Sequence, residues 1–132
     1  MRLHDWQLRF EKFAAEREAM PFAWGVNDCA TFAAAAVEAL TGVRHLPHLR
    51  GLLTAREAIK AQRVHGGLES IATQALGAPI AALMAGVGDV VLIRVGKRLA
   101  LGVCNGSVVL GPGPRGMVAA GIQDAVMAWR VG

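Results

Sequence analysis

Cys29 is the residue in this chain whose type and setting could do chemistry. It lies in the stretch Pro21-Phe-Ala-Trp-Gly-Val-Asn-Asp-Cys29-Ala-Thr-Phe-Ala-Ala-Ala-Ala-Val37, where a turn gives way to a helical run. The first turn of a helix leaves backbone N–H groups unpaired and carries the positive end of the helix dipole. A thiolate placed there is stabilised, so a lowered pKa and a better nucleophile are expected. The same N–H groups could hold an oxyanion. Against this stands the plain alternative of a small buried residue, since free cysteine is among the most buried types.

A cysteine nucleophile needs a base to take its proton and a further polar group to orient that base. The histidines are His4, His45, His48 and His65. His45 and His48 follow the cysteine helix, about 18 Å from Cys29 at 1.5 Å per residue unless the loop folds back. The spacing of His65, just before Gly66-Gly67, does not fix its place. All four read as surface groups. His45-x-x-His48 lacks a third ligand and an accompanying cysteine pair, so no metal site and no cofactor are expected. Asp28 reads as the helix cap, and Asp89 as a turn residue at a strand entry. Either could also line a cleft. Trp24 could wall a peptide groove or anchor its loop over the core. Cys104 reads as core, and the two cysteines do not make a disulfide framework.

Certain elements must position these residues. Trp6, Phe10, Phe13 and Arg17 recur at helical spacing after a possible cap at Asp5, and that helix should end before Pro21. Residues 21–28 form a turn-rich loop. Asp28 or Asn27 caps a helix from Cys29 to about Leu40, with Gly42 as its stop. Its Ala33–Val37 run is apolar nearly all round, so the helix should be central and buried. Thr54-Ala-Arg-Glu57 is a capping box opening a helix to about Arg63. Leu68–Leu76 is a short further helix closed by Gly77. From Gly88 the grammar changes. Asp89–Val95, Leu99–Cys104 and Ser107–Leu110 read as strands, with Asn105-Gly106 as a hairpin turn. Gly111-Pro-Gly-Pro-Arg-Gly116 reads as an exposed loop. Met117–Ala120 and Met127–Val131 could supply two more strands. Helices first and a meander afterwards make an α+β domain.

The chain has 132 residues, one domain by length, and 54% are hydrophobic, enough to bury a core without staples. The formal charge is +4, but no dense basic run with interleaved aromatics marks a nucleic-acid face. The N-terminal Met-Arg-Leu-His-Asp-Trp-Gln-Leu-Arg-Phe has no apolar run, so no signal peptide is expected. The apolar region from Ile71 to Ile93 is interrupted by Gln74, Pro79, Asp89 and glycines, so no membrane insertion is expected.

The pattern resembles the NlpC-type papain-like cysteine peptidases and amidases, which mostly cut peptide bonds in bacterial cell walls. Pro21-Phe22-Ala23-Trp24-Gly25, Asp28-Cys29, Gly88-Asp89-Val90-Val91 and Ala100-Leu101-Gly102-Val103 match successive parts of that family's motif. More closely, it looks like a small family of unknown function in tailed phages and prophages. That family shares the Pro-Phe-x-Trp-Gly-x-x-Asp-Cys opening, Gly66-Gly67-Leu68 and Ala128-Trp129-Arg130. The resemblance implies a single domain over 1–132 with a compact papain-like fold. Its N-terminal helices would pack on an antiparallel sheet of four to six strands.

It also implies where the partners of Cys29 should lie, and there the chain departs from the pattern. The family histidine falls at Ala100, and a shift of one residue gives only Leu101. The orienting group falls near Leu110. Phe22 replaces a tyrosine, and the chain has no tyrosine. Polar atoms are lost at all three places while the cysteine and its cap remain. The expected cleft residues are Phe22, Trp24, Asp28, Asp89, Ala100 and Leu110, with Cys29 as nucleophile only in an active enzyme.

The reading favoured is a phage or prophage tail component, at the tail tip, using a degenerate fold as a structural or binding module. Such a protein would be made in the host cytoplasm, move to the virion tail and have other tail proteins as partners. The alternative is an active cysteine hydrolase of peptidoglycan peptides with a base brought from elsewhere. A third reading is a small cytoplasmic regulator or immunity-like binder that uses the cleft for a peptide.

Overall fold

The computed structural model describes residues 1–44, 60 and 67–132. The Thr54–Glu57 capping box, its helix apart from Lys60, His45, His48, His65 and Gly66 lie outside the described residues.

Helix α1 (Trp6–Arg17) buries Phe10 and Phe13, which lie three residues apart on one face. Asp5 occupies the cap position, but its carboxylate accepts from Arg9 Nε at 2.7 Å and makes no cap bond. Helix α2 (Cys29–Thr41) ends at Gly42, which takes φ 78° and donates its N–H to the Glu38 carbonyl at 2.8 Å. Glycine adopts that left-handed cap without a Cβ clash. Phe32, Ala33, Ala36, Val37 and Leu40 of α2 are buried in the main core. Phe13 meets Phe32 edge-on, with centroids 5.1 Å apart. Helix α3 (Gly67–Leu76) buries Ile71 and Ala72.

Five strands form one antiparallel sheet: β1 (Val90–Val95), β2 (Arg98–Cys104), β3 (Val108–Gly113), β4 (Gly116–Gly121) and β5 (Ala125–Trp129). Their order is β4-β3-β2-β1-β5, so the chain winds as a meander and then returns to the far edge of β1. This makes β1 central. Its Val90-Val-Leu-Ile93 run is buried on both faces, which explains why it does not alternate with polar residues. Val90 and Leu92 face α2 together with Leu101, Val103, Leu110 and Trp129. Val91 and Ile93 face a second cluster with Cys104, Val109 and Ala128, covered in part by Ile80, Ala85 and Ile122. Each fully buried large side chain, such as Phe32, Leu40 or Trp129, contributes about 1.5–3 kcal/mol by leaving water.

The expected loop at 111–116 is not one. Gly111-Pro112-Gly113 continues β3, Pro114-Arg115 turns the chain, and Gly116 opens β4. Proline is tolerated there because its missing N–H faces a side of β3 that has no partner strand at that point. Gly116, at φ 140°, packs so close to the Glu18 carbonyl that a Cβ would clash with it. The Met117 N–H donates to the same carbonyl at 3.0 Å, tying the β3–β4 hairpin to the end of α1.

Candidate functional site

The local geometry of Cys29 begins one residue earlier. Asp28 has extended backbone, and its Oδ1 accepts from the Thr31 N–H at 2.8 Å while Thr31 Oγ1 accepts from the Asp28 N–H at 2.8 Å. This reciprocal pair satisfies two donors that the helix start leaves open. Asp28 Oδ2 also accepts from the Gly25 N–H at 2.8 Å, where Gly25 turns the loop at φ 76°. Asn27, also buried, donates from Nδ2 to the Met20 and Pro21 carbonyls at 3.2 and 3.0 Å. Its Oδ1 accepts from Arg17 Nη1 at 2.8 Å. Asp28 is therefore the cap, and Asn27 is the latch that holds the loop against the end of α1.

The latched loop presents its aromatic rings to the sheet. The Phe22 N–H donates to the Gly113 carbonyl at 2.8 Å. Phe22 and Trp24 meet edge to face at 4.8 Å. Together with Cys29 they line a cleft of about 450 Å³ whose other walls come from β1, β2, β3 and β4. Ala100 and Leu110 line the same cleft. Trp24 thus forms part of the wall.

Asp28 and Asp89 do not line this cleft. The Asp28 carboxylate is turned into its own cap and loop. Asp89 is buried elsewhere, where Oδ1 accepts from Arg2 Nη2 at 3.0 Å and from the Val131 N–H at 3.1 Å. Its Oδ2 accepts from the Gly86 N–H at 2.9 Å and lies 3.9 Å from Arg130 Nη1. Asp89 holds the chain's two ends at the entry to β1.

The lowered thiol pKa expected from the helix start is not found. Burial among apolar groups pushes the Cys29 thiol up to about 11, and the neighbouring Asp28 charge adds to the rise. The N–H groups of Leu101, Ala30 and Cys29 itself act in the opposite direction but do not outweigh burial. Desolvation of a charged sulfur is the larger effect. The residue remains partly exposed at the floor of the cleft while its sulfur is enclosed.

Among the described residues lining the cleft, the only ionisable side chains are Cys29 and Arg98. Leu101 sits on the sheet face that packs on α2, and Ala100 packs against the cluster on the opposite face. The side chain on the helix-facing side is thus the one at 101, and it is apolar. Cys104 is buried in the second cluster, and both cysteines are free. No group of three or more His, Cys, Asp or Glu side chains suited to a metal occurs among the described residues. No helix among them is long and apolar enough to cross a membrane.

The cleft lies beside the end of the β2–β3 ladder. The two strands pair only at Val103↔Leu110 and Cys104↔Val109. Continuing that register sets Leu101 opposite Pro112, which has no N–H to donate. The described ladder ends before that pair, and residues of both strands line the cleft. Sequence reasoning missed Pro112, Leu99, Leu101 and Arg98 as determinants of the site. The available signal was Pro112, which follows the apolar Val108–Leu110 strand run by two residues.

A family profile described as a domain of unknown function (DUF6950) matches residues 1–131, so the chain belongs to that family. No curated protein and no solved structure matches the chain.

Proposed function

We propose that this chain is a non-hydrolytic protein with a papain-like fold of the NlpC type. It would serve as a binding and assembly module of a phage or prophage tail, at the tail tip, with the Cys29 cleft as its contact site. The observation that carries the non-hydrolytic reading is the environment of the thiol. Cys29 is held protonated by burial in an apolar cleft that offers no base among the described lining residues. A thiol, unlike a thiolate, is a poor nucleophile. The tail assignment rests on the Pro21–Cys29, Gly66–Leu68 and Ala128–Arg130 resemblance. If it is correct, Cys29→Ala particles assemble and infect as wild type does. Loss of infectivity by a stable, correctly incorporated Cys29→Ala protein refutes it.

One observation favours a second reading, an active thiol hydrolase of peptidoglycan peptides. The N–H groups of Leu101, Ala30 and Cys29 itself act on the sulfur in the direction that favours a thiolate. That reading needs a base from outside the described cleft. It is supported if purified cell wall incubated with the protein releases dipeptides and the Cys29→Ala protein releases none. A Cys29 that alkylates more slowly with iodoacetamide at neutral pH than a free small thiol counts against it.

A further inference from the structure

The walls of the cleft are unusual in what they leave unpaired. In β2 the Cys104 N–H donates to the Asp89 carbonyl at 2.9 Å, and its carbonyl accepts from the Gly88 N–H at 2.8 Å. Even-numbered residues of β2 therefore turn their backbone groups toward β1, and odd-numbered ones toward β3. Val103 finds Leu110 there. Leu101 turns its N–H toward the Cys29 sulfur. The Leu101 carbonyl and both backbone groups of Leu99 face the gap with no partner among the described residues. A stretch of strand edge is thus open inside a cleft, beside side chains that are themselves exposed and apolar. Val95 is 55% exposed, Leu99 44% and Val118 52%, and all three line the cleft.

Charge marks the same place. Lys97 and Arg98 form the tip of the β1–β2 hairpin, with Arg94 just before it. None of the three has a carboxylate partner among the described residues. Arg98 reaches into the cleft lining, and no carboxylate lies there. An occupant that neutralises this end must be acidic, and one that covers the walls must be apolar.

We infer that the cleft takes an extended segment of a partner protein, with alternating apolar and acidic residues, that adds as a strand to the free edge of β2 at Leu99 and Leu101. Main-chain hydrogen bonds would supply affinity. The alternation of side chains would supply choice, with apolar residues on Phe22, Trp24 and Leu110 and acidic ones at Lys97 and Arg98. The inference rests on the binding-module reading above and names the chemistry of its partner.

The test is selection of short peptides from a displayed random library on the purified full chain, wild type and Cys29→Ala in parallel. Enriched peptides should alternate apolar with Asp or Glu. The Lys97→Glu, Arg98→Glu double variant, whose changes lie on an exposed hairpin, should weaken the best of them at least about tenfold. The Leu99 amide should gain protection from hydrogen exchange on binding, and N-methylation of alternate peptide amides should abolish it. The inference is overturned if nothing is enriched or if enriched peptides are basic. It is equally overturned if the charge-reversed variant binds them as well, or if the Leu99 amide stays unprotected. Cleavage of a bound peptide by wild type but not by Cys29→Ala would overturn the non-hydrolytic reading and leave strand addition intact.

Discussion

At the scale of the residue, two opposing effects act on Cys29, and their sizes decide its character. A helix start favours the thiolate by a fraction of a kcal/mol to about 2 kcal/mol. Burial in an apolar cleft opposes it, and the thiol ends at about 11 rather than 9.0. The proton is thus held more tightly in the folded chain than in the unfolded one. The stability linked to this site is fully present below pH 9.0 and is lost as pH rises through about 11. Urea titrations of wild type should show about 3 kcal/mol more loss over that window than those of Cys29→Ala, since each tenfold change in proton affinity is worth about 1.4 kcal/mol. Parallel curves for the two proteins would show that the thiol is not desolvated. The cap beside it is a separate matter. Asp28→Ala removes the acceptor for the Thr31 and Gly25 N–H groups in a buried place. It should cost about 2 kcal/mol by chemical denaturation.

Among the elements, the end of the β2–β3 ladder can be tested at one residue. Continuing the register past Val103↔Leu110 sets Leu101 opposite Pro112, which has no N–H to donate. Pro112→Val restores a donor opposite the Leu101 carbonyl. The ladder should then extend by one hydrogen bond, and the amide at 112 should become protected from exchange. Stability should rise by about 1 kcal/mol, and the variant should bind selected peptides more weakly. An unprotected amide at 112 would assign the separation of the strands to the aromatic loop instead. That loop is itself anchored to β3 through the Phe22 N–H and the Gly113 carbonyl.

On the scale of the whole molecule, the two ends of the chain meet at Asp89. Arg2 donates from Nε to the Val131 carbonyl at 2.7 Å and from Nη1 to the Val87 carbonyl at 2.8 Å, and its guanidinium stacks 4.2 Å over the Trp6 ring. Asp89 joins Arg2 to the Val131 N–H. Trp129, on the edge strand that returns to β1, donates its indole N–H to Thr73 of α3 at 3.1 Å. The helical layer and the sheet are therefore closed by contacts between residues far apart in sequence. Asp89→Ala strands a guanidinium and a buried N–H together. It should destabilise the fold by about 3 kcal/mol in urea while leaving the cleft residues in place. A loss under about 1 kcal/mol would mean that the network is only a surface pairing.

Local signals announced most of the elements. The Asp28 cap, the Gly42 stop, the Asn105-Gly106 turn and the apolar run of β1 each act within a few residues of chain, where spacing and backbone preference suffice. The order of helices before strands follows from the same signals, whereas the gathering of Phe22, Trp24, Ala100 and Leu110 beside Cys29 was implied only by the family resemblance. The departures arose where a residue's role depends on partners remote in sequence. The pKa of Cys29 turned on enclosure by strands some seventy residues away, which a helix-start argument does not contain. Asp89 became a clamp for both chain ends because the fold brings Arg2 and Val131 to it. Pro112 comes opposite Leu101 only because the strand register sets it there. Capping, turning and patterning are short-range and can be read along a chain. Desolvation, strand register and ion-pair closure depend on distances that exist only once the chain is folded.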